Sequence, residues 1–567
     1  MIRINKLKTL LKKYYLDAYI IPKNDEFFGE YAFPNRLKTV SNFSGSAGFS
    51  IVTNSENYLF VDGRYLIQSK IESGKKFKIV EIPYTYPKNI LDFDKFKRIG
   101  YDPKLFTSST LRRYFANKYQ LIPIKKNLVD NVLLEKEKKE DPFFVIKDKV
   151  VGESVNSKIG RLCRIIKKNK CDSFFISAPE NVAWLLNIRG KDNPNSPIPN
   201  SRIIISKNKN VYFFSNLKKI NNIKKKIIYK KIKFFSFERF YEVLSKLDCK
   251  FFTIDELTCS IYYESLIKSK FKIKSYTDPI YYLKAIKNTV EIQNMKSAHI
   301  KDGVALTKFL YWIKQEKNFG FDEFFLEKKL ESLRKKNKDY IYPSFNTIAG
   351  SGPNSAIIHY RSSKNTNRKI RKKDIFLCDS GGQYKYGTTD VTRTVCFSKP
   401  SNRVKNIYTR VLKGHIAVAL NDLNKSKKGY LIDKKARKPL KEINLDYGHG
   451  TGHGVGFFSN VHEGPQSISK FNSIELKEGM IVSNEPGYYE EGKFGVRIEN
   501  LIYVKKVKNK LKFKNLTMAP LDNDLINQKL LNSKELKYLM SYNREIYNNL
   551  SKFLNRKERA WLINSSQ

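Results

Sequence analysis

The first residues of this sequence that could take part in catalysis or metal binding are two aspartates in residues 375–397. The pattern of that segment predicts two strands around a glycine-rich turn, with Asp379 on one arm and Asp390 on the other. A carboxylate inside an apolar strand is costly to bury unless a positive charge compensates it. The two side chains could therefore share one cation, although two aspartates exposed at a sheet edge would explain the pattern equally well.

A second window, residues 448–456, alternates glycine with His449, Thr451, His453 and Val455. Five glycines in nine residues argue against a helix, so we expect an extended segment with one bare face. Four residues of a strand span about 13 Å. The two histidines therefore cannot both bind one metal. One would be a ligand and the other would line a cleft, and the spacing leaves open which is which.

Two glutamates complete the candidate set. Glu485 ends an apolar run before a Pro-Gly turn, and Glu499 lies in residues 495–504, which predict an alternating strand. Each alone would more often be a surface or ion-paired residue. Together, four carboxylates and an imidazole favour a two-metal site with oxygen ligands over a thiolate zinc site. Four negative charges balance two divalent cations, and a water between such cations ionises near neutral pH.

The elements that must position these groups belong to a chain of 567 residues, long enough for about three to four domains. An amphipathic helix over 4–15 and a strand over 17–22 are followed, further along, by a helix over 157–168 and a strand over 172–177. The same order at matching offsets predicts two copies of one α/β unit.

Two boundaries follow from local sequence signals. The charged run over 135–140, closed by Asp141-Pro142, reads as a linker. A second boundary falls near Asp278-Pro279. Beyond it, Asn288 can cap a helix with Glu291 three residues later.

The composition narrows the class of protein. Apolar residues make up 41% of the chain, enough for sizeable cores. Lys and Arg number 107 against 55 Asp and Glu, a formal charge of +52, but the lysines are dispersed along the chain. Residues 218–233 hold eight lysines, one aromatic residue and no arginine. We interpret them as a lysine-rich edge strand and turn rather than a nucleic-acid site.

The cysteine pattern and the hydropathy of the chain bear on where the protein is located in the cell. The six cysteines form no CxxC pair, which argues against structural zinc and against a disulfide framework. The N-terminal segment lacks the apolar stretch of a signal peptide. No apolar run approaches the roughly 18 residues of a membrane span. We therefore expect a soluble cytoplasmic protein without membrane contacts.

The assembled motifs resemble aminopeptidase P, the Xaa-Pro aminopeptidases, in its long three-domain cytosolic form. The similarity lies in DSGGQYKYGTTDVTRT, YGHGTGHGVG, VHEGP, SNEPGYY and GVRIEN, in that order, and extends to SNFSGSAGFSIVT, ENVAWLLNIRG and DPIYYLKAIKN. It implies an α/β (α+β) fold. Two creatinase-like N-terminal domains, residues 1–141 and 142–278, would precede a pita-bread catalytic domain, residues 279–567.

The resemblance also implies a site with two divalent metal ions, usually manganese. Asp379 would bind one metal, Asp390 and Glu499 would bridge both, and His453 and Glu485 would bind the other. The remaining implied positions are the substrate-contacting histidines His359, His449 and His462, and the ligand-orienting residues Tyr489 and Arg497.

One position departs from the family pattern. Phe27 stands where the first domain often has a histidine, which affects details of the active-site rim or dimer contact. His299 and His415 lie on predicted amphipathic helices outside the chemical windows, and we interpret both as structural.

The resulting hypothesis is hydrolysis of the first bond of peptides with proline in second position by a homodimer without a specific nucleic-acid partner. Glu485 would carry the proton to the leaving nitrogen. His359 and His462 would stabilise the oxyanion. The alternatives are a prolidase-type Xaa-Pro dipeptidase and a catalytically silent pita-bread binding protein.

Overall fold

The computed structural model describes residues 2–31, 33–92, 94–133, 141–227, 229–316, 320–363 and 366–564. The chain separates into two compact units, Met1–Ile280 and Tyr281–Gln567. In these ranges, no helix is both long and apolar enough to cross a membrane. The charged run of the predicted linker, residues 135–140, lies outside the described residues.

The first unit begins with a six-stranded sheet in the order β4-β3-β2-β1-β5-β6. Tyr19 and Ile21 of β1 pack into one core, and Ala18 and Ile20 pack into another, because successive side chains leave opposite faces of a strand. A sheet covered on both faces needs an apolar run, which is what the sequence has here. The elements are α1 (Ile2–Lys13), β1 (Ala18–Pro22), α2 (Arg36–Ser41), β2 (Phe49–Thr53), β3 (Asn57–Asp62), α3 (Leu66–Ser73), β4 (Lys78–Ile82), α4 (Pro87–Ile90), β5 (Arg98–Tyr101), α5 (Ser108–Tyr114) and β6 (Gln120–Pro123).

A second six-stranded sheet of the first unit has the order β12-β11-β10-β8-β13-β14. Its pairings repeat those of the first sheet strand for strand, parallel for parallel and antiparallel for antiparallel. The predicted repeat is confirmed. The elements are β7 (Phe144–Val145), α6 (Asp148–Val151), α7 (Val155–Lys168), β8 (Ser173–Ile176), α8 (Pro179–Leu185), β9 (Ile188–Arg189), β10 (Arg202–Ser206), β11 (Val211–Phe214), α9 (Leu217–Lys224), β12 (Ile232–Phe235), α10 (Phe240–Ser245), β13 (Phe251–Ile254), α11 (Ile261–Lys268) and β14 (Lys272–Ser275).

Phe27 has a packing role inside the first unit. Its ring lies 4.2 Å from the guanidinium of Arg202, which also contacts the rings of Phe237 and Tyr263. Arg202 donates from Nη2 to the carbonyl of Glu26. The phenylalanine thus ties the loop after β1 to the second sheet through a cation–π contact.

The lysine-rich segment differs from its predicted form. Its first half is the helix α9, capped by Asn216, because Ile220 and Ile223 are spaced to bury one helical face. Only the end of the segment enters β12, which does lie at a sheet edge.

The second unit contains the candidate catalytic residues. Asn288 caps α13 with Glu291 in a reciprocal pair of hydrogen bonds, as predicted. The helices are α12 (Ile280–Ala285), α13 (Thr289–Gln315), α14 (Glu323–Lys335), α15 (Asn402–Ala419), α16 (Gly429–Lys441), α17 (Ser533–Leu550) and α18 (Arg556–Asn564).

In residues 281–316, 320–363 and 366–564, the strands form four sheets, in the orders β15-β18-β19, β16-β17-β20, β22-β21-β23-β26-β27 and β24-β25. The strands are β15 (Tyr340–Pro343), β16 (Ile348–Ser351), β17 (Ile375–Ser380), β18 (Gly382–Tyr384), β19 (Gly387–Thr388), β20 (Val391–Cys396), β21 (Gly452–Gly454), β22 (Glu463–Ile468), β23 (Ile481–Asn484), β24 (Gly487–Glu490), β25 (Phe494–Arg497), β26 (Asn500–Val507) and β27 (Lys510–Asn515).

Arg393 holds several of these elements together. Its side chain is buried, and its guanidinium donates to the carbonyls of Thr392, Glu499, Ala519 and Pro520, to Asn500 Oδ1 and to the Tyr542 hydroxyl. We expect Arg393→Ala to lower the free energy of unfolding by about 3 kcal/mol or more, because these buried acceptors lose a charged donor. Arg393→Lys should recover only part of the loss, since an ammonium cannot reproduce the fork.

Urea denaturation of the two variants measures this effect. Arg544→Ala, at an exposed position on α17, is the control and should unfold like the parent protein. Equal denaturation midpoints for Arg393→Ala and Arg544→Ala would contradict the proposed role of Arg393.

Candidate metal centre

The two aspartates lie at one end of an antiparallel strand pair. Asp379 is in β17, opposite Thr392 of β20, and Asp390 immediately precedes β20. The two predicted arms are therefore present. The segment between them is more than a turn, because it also forms the short strands β18 and β19 of a different sheet. Both carboxylates are buried, with Asp379 8% and Asp390 4% exposed.

The glycine window is extended over a shorter length than predicted. Only β21, residues 452–454, is a strand, and His449 lies in a bend before it. The bare face is real: a Cβ on Gly452 would lie 1.9 Å from the Ser483 carbonyl oxygen, and one on Gly454 would lie 2.2 Å from that of Glu463. Backbone of the neighbouring strands β22 and β23 thus fills the glycine side.

The two glutamates occupy different surroundings. Glu485 follows β23 directly, as predicted for the end of an apolar run. Glu499 is not inside a single alternating strand, because the chain leaves β25 at Arg497 and enters β26 at Asn500. Residues 494–504 are buried without alternation, since the chain passes between two sheets there. Glu499 lies at this crossing and is 1% exposed.

These elements converge on one cluster of ligand-type atoms. His453 Nε2 is 3.4 Å from Asp390 Oδ2 and 3.5 Å from Glu485 Oε1. Ligand atoms of Asp390, His453 and Glu499 all lie within 4.8 Å of one another. His453 Nδ1 is 2.9 Å from the Gly454 carbonyl oxygen and must donate to it, so Nε2 is the ring nitrogen directed at the carboxylates.

Asp379 lies near enough to Asp390 and Glu485 for their charges to raise its pKa, and it pairs with Arg497. Asp379 Oδ2 accepts from Arg497 Nη2 at 2.7 Å, whereas Oδ1 is buried without a hydrogen-bond partner. Arg497 also donates to the Tyr489 hydroxyl and to the Ile358 carbonyl. One guanidinium therefore connects a candidate ligand to the segment that precedes His359.

Two hydroxyl groups orient the glutamates, and the sequence analysis did not identify them. Thr392 Oγ1 donates to Glu499 Oε2 at 2.8 Å. Ser483 Oγ donates to Glu485 Oε1 and accepts from the His453 backbone N–H, both at 2.9 Å. Each hydroxyl lies two residues from a candidate ligand, Thr392 from Asp390 and Ser483 from Glu485. Residues two apart in an extended chain have their side chains on the same face. This spacing is the sequence feature from which the two hydroxyl groups could have been identified.

The pKa shifts in the cluster show that its negative charges are not fully compensated by the protein. Burial, reinforced by Asp390 and Glu485 and opposed by Arg497, raises the pKa of Asp379 to about 7. Burial and the neighbouring carboxylates raise the pKa of Glu499 well above its usual range. Burial alone would lower the pKa of His453, but Asp390 and Glu485 raise it to about 9.

This donor set fits a pair of divalent cations. Four carboxylates in one buried cluster repel each other, and two divalent cations would supply four compensating charges. The unpartnered Oδ1 of Asp379, and Nε2 of His453 in place of its contacts with Asp390 and Glu485, are the atoms such cations would engage.

The three predicted substrate-contacting histidines lie outside the regular helices and strands. His359 lies in a turn after residues 352–356. His462 is exposed, immediately precedes β22, and its ring centroid is 4.4 Å from that of His453. His449 Nδ1 donates to the Gly450 carbonyl, so Nε2 accepts from the Tyr489 hydroxyl at 2.9 Å.

The two remaining histidines are buried on helices, as predicted. His299 Nδ1 contacts the Met295 carbonyl within α13. His415 Nδ1, on α15, contacts the Asn484 carbonyl beside Glu485. That proximity to the cluster was not evident from sequence spacing.

Comparison with known proteins agrees with this architecture. Residues 293–506 match metallopeptidase family M24, and residues 509–567 match its C-terminal region. Residues 3–131 and 135–291 each match the creatinase/prolidase N-terminal domain.

Similar proteins are found over the full chain and over part of it. Xaa-Pro aminopeptidase 1 of Dictyostelium discoideum is 36% identical, over 99% of this chain and 95% of its own length. The crystal structure of X-prolyl aminopeptidase from Caenorhabditis elegans, described as a cytosolic enzyme with a di-nuclear active site, has a TM-score of 0.91 at 30% identity and covers 100% of this chain and 99% of its own. Prolidase from Pyrococcus furiosus has a TM-score of 0.52 at 27% identity and covers 63% of this chain and 99% of its own.

Two creatinase-type domains followed by a pita-bread domain with a buried carboxylate–histidine cluster define a metallopeptidase of family M24. Within that class, the match over the full length is to the three-domain form. The chain belongs to the Xaa-Pro aminopeptidase P family.

Proposed function

We propose that this protein is a metal-dependent aminopeptidase that releases the N-terminal residue from peptides with proline in second position. The observation that carries the proposal is the cluster of Asp390, Glu485 and Glu499 around His453, with Asp379 close enough for Asp390 and Glu485 to raise its pKa, in a chain similar over its whole length to an X-prolyl aminopeptidase. Residues 1–141, 142–278 and 279–567 are the proposed domains.

The proposed cofactor is a pair of manganese ions. Asp379 would hold one ion, Asp390 and Glu499 would bridge both, and His453 and Glu485 would hold the other. Manganese suits carboxylate and imidazole ligands of this kind. When bound, the two ions polarise the scissile carbonyl and make a water molecule nucleophilic near neutral pH.

Glu485 is the proposed proton carrier. Its Oε1 accepts from Ser483, which fixes the carboxylate against β23. Hydrolysis adds hydroxide to the carbonyl carbon, breaks the carbon–nitrogen bond and leaves a proton for the proline nitrogen. Within a peptide this nitrogen carries no hydrogen, so the leaving group must gain one. Glu485 would take the proton from the attacking water and pass it on.

The histidines and Arg497 act on the carbonyl and on the ligand frame. His359 and His462 would donate hydrogen bonds to the developing oxyanion, and His449 would line the cleft for the substrate. Arg497 and Tyr489 would keep Asp379 and His449 in position through the hydrogen bonds that join them.

Two assays distinguish this function from its alternatives. The metal-loaded protein should release the first residue from an Xaa-Pro-Xaa tripeptide, and metal analysis should find two ions per chain. Hydrolysis limited to Xaa-Pro dipeptides would identify a prolidase-type enzyme. Two bound ions without hydrolysis of either peptide would favour the silent binding protein. The match to a prolidase over 63% of the chain, against a full-length match to an aminopeptidase, favours the tripeptide.

The proposed setting is a cytoplasmic homodimer. The cytosolic description belongs to the similar Caenorhabditis elegans enzyme, and the dimer follows from resemblance to the family. Light scattering on the purified protein measures the oligomeric state.

We propose no specific nucleic-acid partner and expect only weak binding to duplex DNA. The lysines of residues 218–233 are spread over α9, the segment that follows it and β12, and Lys219 is already paired with Asp192 at 2.7 Å. At about 150 mM salt, fluorescence anisotropy should give a Kd above about 1 μM. The Kd should rise steeply as the salt concentration increases.

A charge-matched control tests whether the lysines of residues 218–233 bind DNA more strongly than lysines elsewhere on the surface. Four exposed lysines of the segment (Lys224, Lys225, Lys230 and Lys233) and four on β26–β27 (Lys505, Lys506, Lys510 and Lys512) are each replaced by Gln. Both variants should weaken binding to a similar small extent. Submicromolar affinity abolished only by the first set would overturn the expectation.

A further inference from the structure

Three buried charged residues outside the proposed ligands form a triad in the second unit. Glu463 accepts from Lys284 Nζ at 3.1 Å and from Lys287 Nζ. The side chains of Glu463, Lys284 and Lys287 are 2%, 3% and 1% exposed. The lysines lower the pKa of Glu463 against the effect of burial, so the carboxylate stays ionised and the triad carries a net charge of +1.

The triad joins parts of the chain that are far apart in sequence. Lys284 lies in the last turn of α12, and Lys287 follows the helix at a point where its backbone N–H donates to the Gly479 carbonyl. Glu463 is the first residue of β22 and pairs with Gly454 of β21. Glu463 therefore lies directly after His462 and opposite the residue that follows His453.

Stability alone explains this arrangement poorly. Burying an ion pair gains little or nothing over apolar side chains of similar volume, because desolvation offsets the attraction. The pair of lysines does, however, fix the Glu463 side chain on one side of the backbone. His462 lies in a bend directly before Glu463, so fixing the Glu463 side chain fixes the backbone from which the His462 ring extends toward His453. The observed ring separation of 4.4 Å agrees.

We propose that Glu463, held by Lys284 and Lys287, is a positioning residue that fixes His462 at the reaction site. The inference rests on the proposed function, in which His462 stabilises the oxyanion. Glu463 does not touch the substrate and acts through the backbone it shares with His462. Its register with Gly454 also fixes the strand that carries His453.

A charge-preserving double variant tests the proposal. Glu463→Gln combined with Lys287→Met keeps the triad at +1, because one carboxylate and one ammonium disappear together. We expect kcat to fall by about 10- to 100-fold, the range that a misplacement of about 1 Å produces. KM and the bound metal should be unchanged. In a His462→Ala background, the same double substitution should cause no further loss.

A matched control separates positioning from general damage. Lys314 forms a comparable network with Asp522 and Asp524, at 3.0 and 2.8 Å, near Cys396 at the far end of β20. Lys314→Met combined with Asp522→Asn also preserves net charge. It should lower thermal stability while leaving kcat near the parent value.

A second readout is independent of catalysis. In metal-free protein labelled at the six histidines, the ring signals of His462, assigned with His462→Ala, should shift in the Glu463→Gln/Lys287→Met variant and stay in place in the Lys314 variant. Unchanged His462 signals would overturn the proposal. So would an activity loss that multiplies with that of His462→Ala, or a kcat loss matched by the Lys314 variant. Failure of the parent protein to cleave Xaa-Pro peptides would instead reject the proposed function, and the His462 signals would still report on positioning.

Discussion

Replacing Asp390 by asparagine is expected to abolish hydrolysis of Xaa-Pro peptides and to remove bound metal in parallel. Asp390 Oδ2 lies 3.4 Å from His453 Nε2, in the group of atoms that also includes a Glu499 oxygen. A neutral amide at this position removes one of the four charges that balance two divalent cations, and ligand charge controls their affinity. His453→Ala should have the same result because it removes the only imidazole of the proposed ligand set.

Metal analysis after gel filtration, together with the tripeptide assay, measures both effects. Asp339→Asn is the control, since this half-buried carboxylate pairs with Lys301 outside the cluster. It should retain metal and rate. Two bound ions and a near-normal rate in His453→Ala would refute the ligand assignment.

His359→Ala should lower kcat by about 10²–10³ and leave the metal bound, the usual consequence of losing one oxyanion donor. His359 follows Ile358, whose carbonyl accepts from Arg497 at 3.3 Å, and Arg497 in turn holds Asp379. The segment that carries His359 is therefore tied to Asp379, and His359 is not among the proposed ligands. His299→Ala, a buried helical position, should affect thermal stability more than kcat.

The metal content of His359→Ala decides the assignment. Loss of the ions together with activity would place His359 among the ligands. Full kcat with metal retained would remove it from the mechanism. Comparison with His462→Ala shows whether the two histidines contribute to the same degree.

Local patterns predicted the elements that depend on local interactions. The helix–strand repeat, the cap at Asn288 and the strand end at Glu485 all follow from residues close together in the chain. The two N-terminal sheets could therefore be anticipated, as could the pair of arms that carry Asp379 and Asp390.

Features that depend on distant partners could not be predicted in the same way. The glycines of β21 lie against backbone near Ser483 and Glu463, which is distant in sequence. Glu499 sits between two strands because those strands join different sheets, which an alternating sequence does not reveal. The pairing of Glu463 with Lys284 and Lys287 joins positions 179 and 176 residues apart, beyond any local signal.

The duplicated sheet has a consequence for how the chain acquires its fold. Each sheet is complete within an uninterrupted stretch, residues 18–123 for the first and 173–275 for the second. During synthesis, the first sheet can close before the strands of the second leave the ribosome. Neighbouring repeats are prone to exchange equivalent strands when both are unfolded together. Because the two copies leave the ribosome one after the other, the first can fold before the second is available for exchange. Refolding from denaturant instead exposes the twelve strands of both sheets at once.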